Sequence, residues 1–180
     1  SDDASPDALK LYALNSLMNS DSPQAVDAVV RLLDASDDPK LRDRALFVLA
    51  QSDSAKAAEV LAEVARGTRT PGLQRTAVRY LGMSETDANL TLLQSIYEAT
   101  RDAEVKEAVI EAYFLADDEE RLRTLAENET DQALILKAIH KLGLVDATET
   151  LHGLYRTADN ETKSHILHAL FLADDTEFLA

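Results

Sequence analysis

PKLRDRALFVL, residues 39 to 49, decides the fold, because it returns 32 residues later as PGLQRTAVRYL, residues 71 to 81. Aligned on this unit, six segments fall into register: LKLYALNSLM (9 to 18), LRDRALFVLA (41 to 50), LQRTAVRYLG (73 to 82), VKEAVIEAYF (105 to 114), LILKAIHKLG (134 to 143) and TKSHILHALF (162 to 171). Their fifth residues, Ala13, Ala45, Ala77, Val109, Ala138 and Ile166, are spaced 32, 32, 32, 29 and 28 residues apart. Positions five, six and nine are apolar in every copy and position one in five of six, a stripe with helical period. A shorter stripe follows in each copy: Val29, Val30, Leu33; Val60, Leu61, Val64; Leu92, Leu93, Ile96; Leu122, Leu125; Leu151, Leu154. A period near 30 built of two helices means units too small to bury their own apolar faces, stable only when stacked on neighbours.

Helix boundaries have their own signals. The four prolines follow Ser5, Ser22, Asp38 and Thr70, residue types that cap helices, and proline's missing N–H costs nothing at the first helical position. The spacings Asp117-x-x-Glu120, Asp146-x-x-Glu149 and Asp174-x-x-Glu177 have the form of capping boxes and predict second-helix starts at those aspartates. Together these signals predict one array over residues 1–180, with repeats near 5–37, 38–69, 70–101, 102–130, 131–158 and an incomplete 159–180. An incomplete last copy leaves an apolar flank open, so the ends are expected to promote self-association.

Composition narrows the function. Of 180 residues, 46% are apolar and 5% aromatic, with 5 Gly, the balance of helices rather than of sandwiches or glycine-loop enzymes. The net charge of −15, from 33 acids against 18 Lys and Arg, repels phosphate backbones and argues against nucleic acid as partner. No apolar run reaches the length of a membrane span, and no targeting segment is present in the chain as given, so no membrane insertion is expected and the compartment stays open. The absence of Cys excludes disulfides, thiolate metal sites and a Cys nucleophile. P-loop, GxGxxG, GxSxG and HExxH motifs are all absent, and no catalytic residue or cofactor is expected.

The repeated [Pro/Asp]-x-[Leu/Val]-[Arg/Lys]-x-x-Ala-[Leu/Val]-x-x-Leu unit, clearest at Pro39 to Leu49 and at Pro71 to Leu81, resembles the HEAT-repeat family in its short bacterial form. Lys10, Arg42, Lys106 and Lys163 keep a basic second position, whereas Gln74 and Ile135 depart from it. The resemblance implies an all-α fold, a right-handed α-solenoid of about six antiparallel helix pairs, with second helices lining a concave groove. It further implies a non-catalytic scaffold that holds a protein or peptide partner. The alternative class is a HEAT-like enzyme or accessory subunit, metal-dependent or of the phycobilin-lyase type. The iron-binding branch, deoxyhypusine hydroxylase, uses His-Glu dipeptides, but here Lys141, Gly153, Ile166 and Ala169 follow the histidines. His140, His165 and His168 are the one cluster a metal reading could use.

Opposing each second-helix stripe gives the candidate binding face: Arg31, Glu59, Gln94, Glu98, Arg123, Glu127, His152 and Arg156. Ion pairs within one turn are expected for Arg31 with Asp27, for Arg123 with Glu120 and Glu127, and for His152 with Glu149. The basic island of Arg66, Arg69, Arg75 and Arg79 faces acids of adjacent copies in the alignment, Arg75 opposite Asp43 and Glu107, and Arg79 opposite Glu111.

Overall fold

In the computed structural model, residues 23–70, 72–84, 86–175 and 178 are described. They form ten helices: α1 (Pro23–Ala35), α2 (Pro39–Ala50), α3 (Ala55–Ala65), α4 (Gln74–Gly82), α5 (Asp87–Ala99), α6 (Ala103–Leu115), α7 (Glu119–Asn128), α8 (Gln132–Leu144), α9 (Thr148–Thr157) and α10 (Asn160–Leu172). No strand occurs among the described residues. The even-numbered helices are the first helices of copies two to six, and the odd-numbered ones are the second helices of copies one to five. The helix expected over residues 9–18, with Lys10 and the Ser5-Pro6 start, lies outside the described residues.

The chain divides into two units, residues 1–96 and 97–180, with the boundary inside α5. In the first unit α2 packs on α1, α3 and α4, and α1 also meets α3. In the second, α8 packs on α6, α7, α9 and α10, and α7 also meets α9. Within each unit, first helices thus lie against second helices and against the first helix one copy away, which is how stacked helical repeats bury a stripe that no single pair could cover.

The stripe is the core. Ala45, Leu46 and Leu49 of α2 and Ala77, Val78 and Leu81 of α4 are buried in the first unit; Val109, Ile110 and Tyr113, then Ala138, Ile139 and Leu142, then Ile166 and Leu170 are buried in the second. Thr162 holds the one position-one site that is not apolar. It is buried, with its hydroxyl accepting from Gln132 Nε2 at 3.0 Å and its N–H donating to the cap residue Asp159 at 2.7 Å, so its polar groups are satisfied.

The predicted boundaries hold in part. Asp38 caps α2 by accepting from Lys40 N, with Pro39 at the first helical position. No helix starts at Thr70: Gly67, Thr70 and Gly72 all have positive φ, and α4 begins only at Gln74, while Pro71 lies outside the described residues. The aspartates of the expected capping boxes end helices instead of starting them. Asp117, Asp146 and Asp174 have φ of 53°, 56° and 55°. The amide one residue beyond each donates back to the carbonyl of Tyr113, Leu142 and Leu170, at 2.9, 3.0 and 3.0 Å. These are Schellman closures with Asp where Gly is usual, and Asp is among the few residues whose side chain tolerates that backbone. After Asp117 the capping role passes to the next residue, Asp118, which accepts from Arg121 N at 3.0 Å, whereas the residue after Asp146 is Ala147, which has no polar side chain to cap with.

Candidate partner-binding surface

The second helices expose one face because their narrow stripe, as in Val29, Val30 and Leu33 of α1, turns the remaining positions outward. In the first unit this face carries Arg31 on α1, Glu59 on α3 and Gln94 on α5, all exposed. In the second it carries Glu98 on α5, Arg123 and Glu127 on α7, and His152 and Arg156 on α9; Arg123 and His152 are half-buried and the others exposed.

Partners of these residues separate those turned outward from those spoken for. Arg123 sits between Glu120 at 3.6 Å and Glu127 at 3.9 Å, as the helical spacing predicts. Such half-exposed pairs contribute at most about 1 kcal/mol and leave the groups available to a partner. His152 departs from expectation: its Nε2 lies 2.6 Å from Asp175 Oδ2 rather than pairing with Glu149, and its ring stacks on Phe178 at 4.2 Å. The imidazole is thereby committed to the turn after α10. Asp27, expected to serve Arg31, takes the Lys56 ammonium across from α3, and Arg31 adds only a weaker attraction. The hydrogen bond from Lys56 and its charge hold the Asp27 carboxyl below its usual range.

Several other charges staple one copy to the next. Of the basic island, Arg69 forms a fork with Asp34, at 3.0 and 2.6 Å, and reaches Glu63 at 2.9 Å. Asp43, which the alignment sets beside Arg75, accepts from the Tyr80 hydroxyl at 3.1 Å. Glu107 and Glu111 are taken by Lys137 and Lys141 of the next first helix, the latter at 2.6 Å. Gln74, which breaks the basic second position, donates to Ala65 O at 3.0 Å and so ties α4 to the end of α3.

The most elaborate staple is Glu129, in the turn between α7 and α8. Its Oε2 accepts from Tyr97 at 2.5 Å and Lys106 at 2.9 Å, and its Oε1 from the N–H groups of Thr130 and Asp131 at 2.7 and 3.1 Å. Lys106 also lies 4.6 Å from the Tyr97 ring centre. The Lys106 and Tyr97 hydrogen bonds hold the carboxyl down at about 2, and burial together with that hydrogen bond pushes the Tyr97 hydroxyl up. Lys163 repeats the cation–ring contact on Tyr155 at 5.3 Å.

For the metal alternative, burial lowers the pKa of His140, with Lys141 and then His168 adding to the shift, so His140 and His168 sense one another across adjacent first helices. Among the described residues no group of three His, Asp or Glu side chains is placed to hold an ion. No helix of the described residues is long and apolar enough to cross a membrane.

One exposed feature lies outside the reading of the stripes. Leu115, Leu144 and Leu172, each the last residue of a first helix in the second unit, stand in water. Their signal was the residue just after the ten aligned positions, which is apolar in the last four copies: Met83, Leu115, Leu144 and Leu172.

The family profile for HEAT repeats matches residues 26–113. No curated protein matches the chain. HEAT repeats generally serve as protein-interaction scaffolds and are typically non-catalytic. With six copies of the unit in register along the sequence, the matched stretch from Val26 in α1 to Tyr113 in α6 consists of HEAT repeats and belongs to that family.

Proposed function

We propose that this chain is a non-catalytic scaffold that binds a protein or peptide partner across the exposed faces of its second helices, along one array of repeats from 1 to 180. The observation that carries this reading is the mixed-charge face itself: Arg31, Glu59, Gln94, Glu98, Glu127 and Arg156 are exposed on helices whose buried stripe fixes the direction of that face. Arg123 belongs to the face, braced by its two glutamates, whereas His152 supports it from within through Asp175 and Phe178. Mixed charge suits a polypeptide better than a polyanion, since electrostatic complementarity sets partner choice more than raw affinity.

The test is charge reversal. Arg31→Glu with Arg123→Glu should weaken capture of the natural partner from lysate and remove crosslinks between it and α1 or α7. Arg75→Glu with Arg79→Glu, on the first helix α4, should leave both unchanged. If the α4 variant alone loses the partner, the second-helix face is not the binding surface.

A further inference from the structure

In the second unit α6, α8 and α10 pack side by side, so their C-terminal ends form one edge. Each end carries the same pair of residues two apart: Leu115 and Asp117, Leu144 and Asp146, Leu172 and Asp174. The leucines are 41%, 44% and 38% exposed, and the aspartates are exposed too. Phe171, 66% exposed, widens the apolar strip at α10. Its repeat equivalent Phe114 is covered by Lys141, 4.2 Å from the ring centre. The three aspartates hold the left-handed closing position of their turns, which fixes where each carboxylate leaves the backbone. Among the described residues their side chains accept no hydrogen bond and pair with no cation, unlike the neighbouring Asp118 and Asp175, which accept from the N–H groups of Arg121 and Phe178. Glycine would close these turns with less strain; aspartate adds a charge that the fold itself does not use.

We propose that this edge docks a cationic amphipathic helix of a partner protein, with apolar residues on the three leucines and Lys or Arg on the three aspartates. The period selects the helix. Packed neighbouring helices lie about 8–10 Å apart, and one heptad of α-helix advances about 10.5 Å, returning an apolar residue to the same face at each step. An extended segment covers that distance in about three residues and presents its opposite face. Charge selects the sign, since a chain of −15 carrying three outward carboxylates on the strip attracts cations and repels phosphate and anionic lipid. The edge is separate from the second-helix faces, so the two proposals stand or fall independently.

The probe is a labelled synthetic peptide of about three heptads, with leucine at every seventh position and lysines flanking it, titrated against the whole chain by fluorescence anisotropy at low salt. Saturable binding is expected, lost for a scrambled peptide of the same composition. Asp117→Asn with Asp146→Asn and Asp174→Asn, which keeps the turn geometry, should weaken it about tenfold, the combined effect of three exposed ion pairs of ordinary strength. Leu144→Gln with Leu172→Gln should weaken it as well, and because these side chains are already exposed, the melting temperature should not move. Arg31→Glu with Arg123→Glu should leave binding intact. No binding, equal binding of the scrambled peptide, or binding that responds only to the arginine reversals would overturn the proposal. It would equally be overturned if sedimentation shows the chain dimerising through this edge, with the dimer abolished by the leucine pair, because a second copy would then be the occupant.

Discussion

Replacing Gly143 by Ala adds one methyl group, and the outcome depends on what that methyl meets. Gly143 lies buried in α8 where it packs on α10, and a Cβ there would stand 2.6 Å from Ala169 O, 2.8 Å from Ala169 Cα and 2.9 Å from Ala169 Cβ. Two of these are backbone atoms, so no rotamer change relieves the overlap; the two helices must separate. Intrinsic propensity favours Ala over Gly within a helix by about 1 kcal/mol, whereas overpacking a closed interior costs about 1–3 kcal/mol, and more where backbone must move. The steric term wins, for a net loss of about 1–2 kcal/mol and a fall in Tm of roughly 2–8 °C. Gly153 in α9 is the control: it is exposed, and a Cβ there meets nothing within 4 Å. The same substitution there should raise stability by about 0.5–1 kcal/mol, because only the propensity term remains. Urea and thermal unfolding followed by far-ultraviolet circular dichroism measures both. A Gly143→Ala protein as stable as the parent would refute the close approach of α8 and α10.

Three further outcomes follow from the packing. Leu81→Ala removes a side chain that is 2% exposed and should cost about 2–5 kcal/mol in chemical denaturation; a change within error would reject the repeat register. Glu129 has a folded pKa of about 2, below its ordinary 4.5, so its stabilisation is fully present above pH 4.5 and disappears as the pH falls towards 2. The parent should therefore exceed Glu129→Gln by up to about 3 kcal/mol near neutrality and converge with it in acid; parallel stability curves across that window would count against the Tyr97–Lys106–Glu129 joint. Asp146→Gly relieves a non-glycine residue at φ 56° and should be neutral or stabilising by up to about 1 kcal/mol, while Asp146→Ala should destabilise by about 1 kcal/mol. Comparison of the two melting temperatures decides it, and alanine outperforming glycine would contradict the left-handed assignment.

The candidate face was legible as far as helical spacing reaches. Arg123 pairs with Glu120 and Glu127 because all three sit on one helix, three and four residues apart. The expected pairing of Asp27 with Arg31 is secondary to that with Lys56, and His152 turns from Glu149 to Asp175, because a charged group chooses among every partner its neighbours bring within reach, and the neighbour lies a repeat away in sequence. Asp27 meets Lys56, and His152 meets Asp175. The same limit hid Glu129, whose partners Tyr97 and Lys106 come from two different helices.

What this sequence determined by itself is the periodic part of the molecule. Burial of positions five and nine in Ala45 and Leu49, Ala77 and Leu81, and Ala138 and Leu142 follows from a turn of 3.6 residues, and the recurrence of the unit requires each pair to stack on the next. The cap at Asp38-Pro39 is equally local. Tertiary structure decided whatever depends on contact between copies or on a choice between local conformations of similar energy. Asp117, Asp146 and Asp174 could cap the next helix or close the previous one, and the direction the chain must take to lay the second helix against the first selected the closing position. Gly143 could be an indifferent small residue in a helix, and the approach of Ala169 made it indispensable, because only a residue without a Cβ lets those two backbones meet.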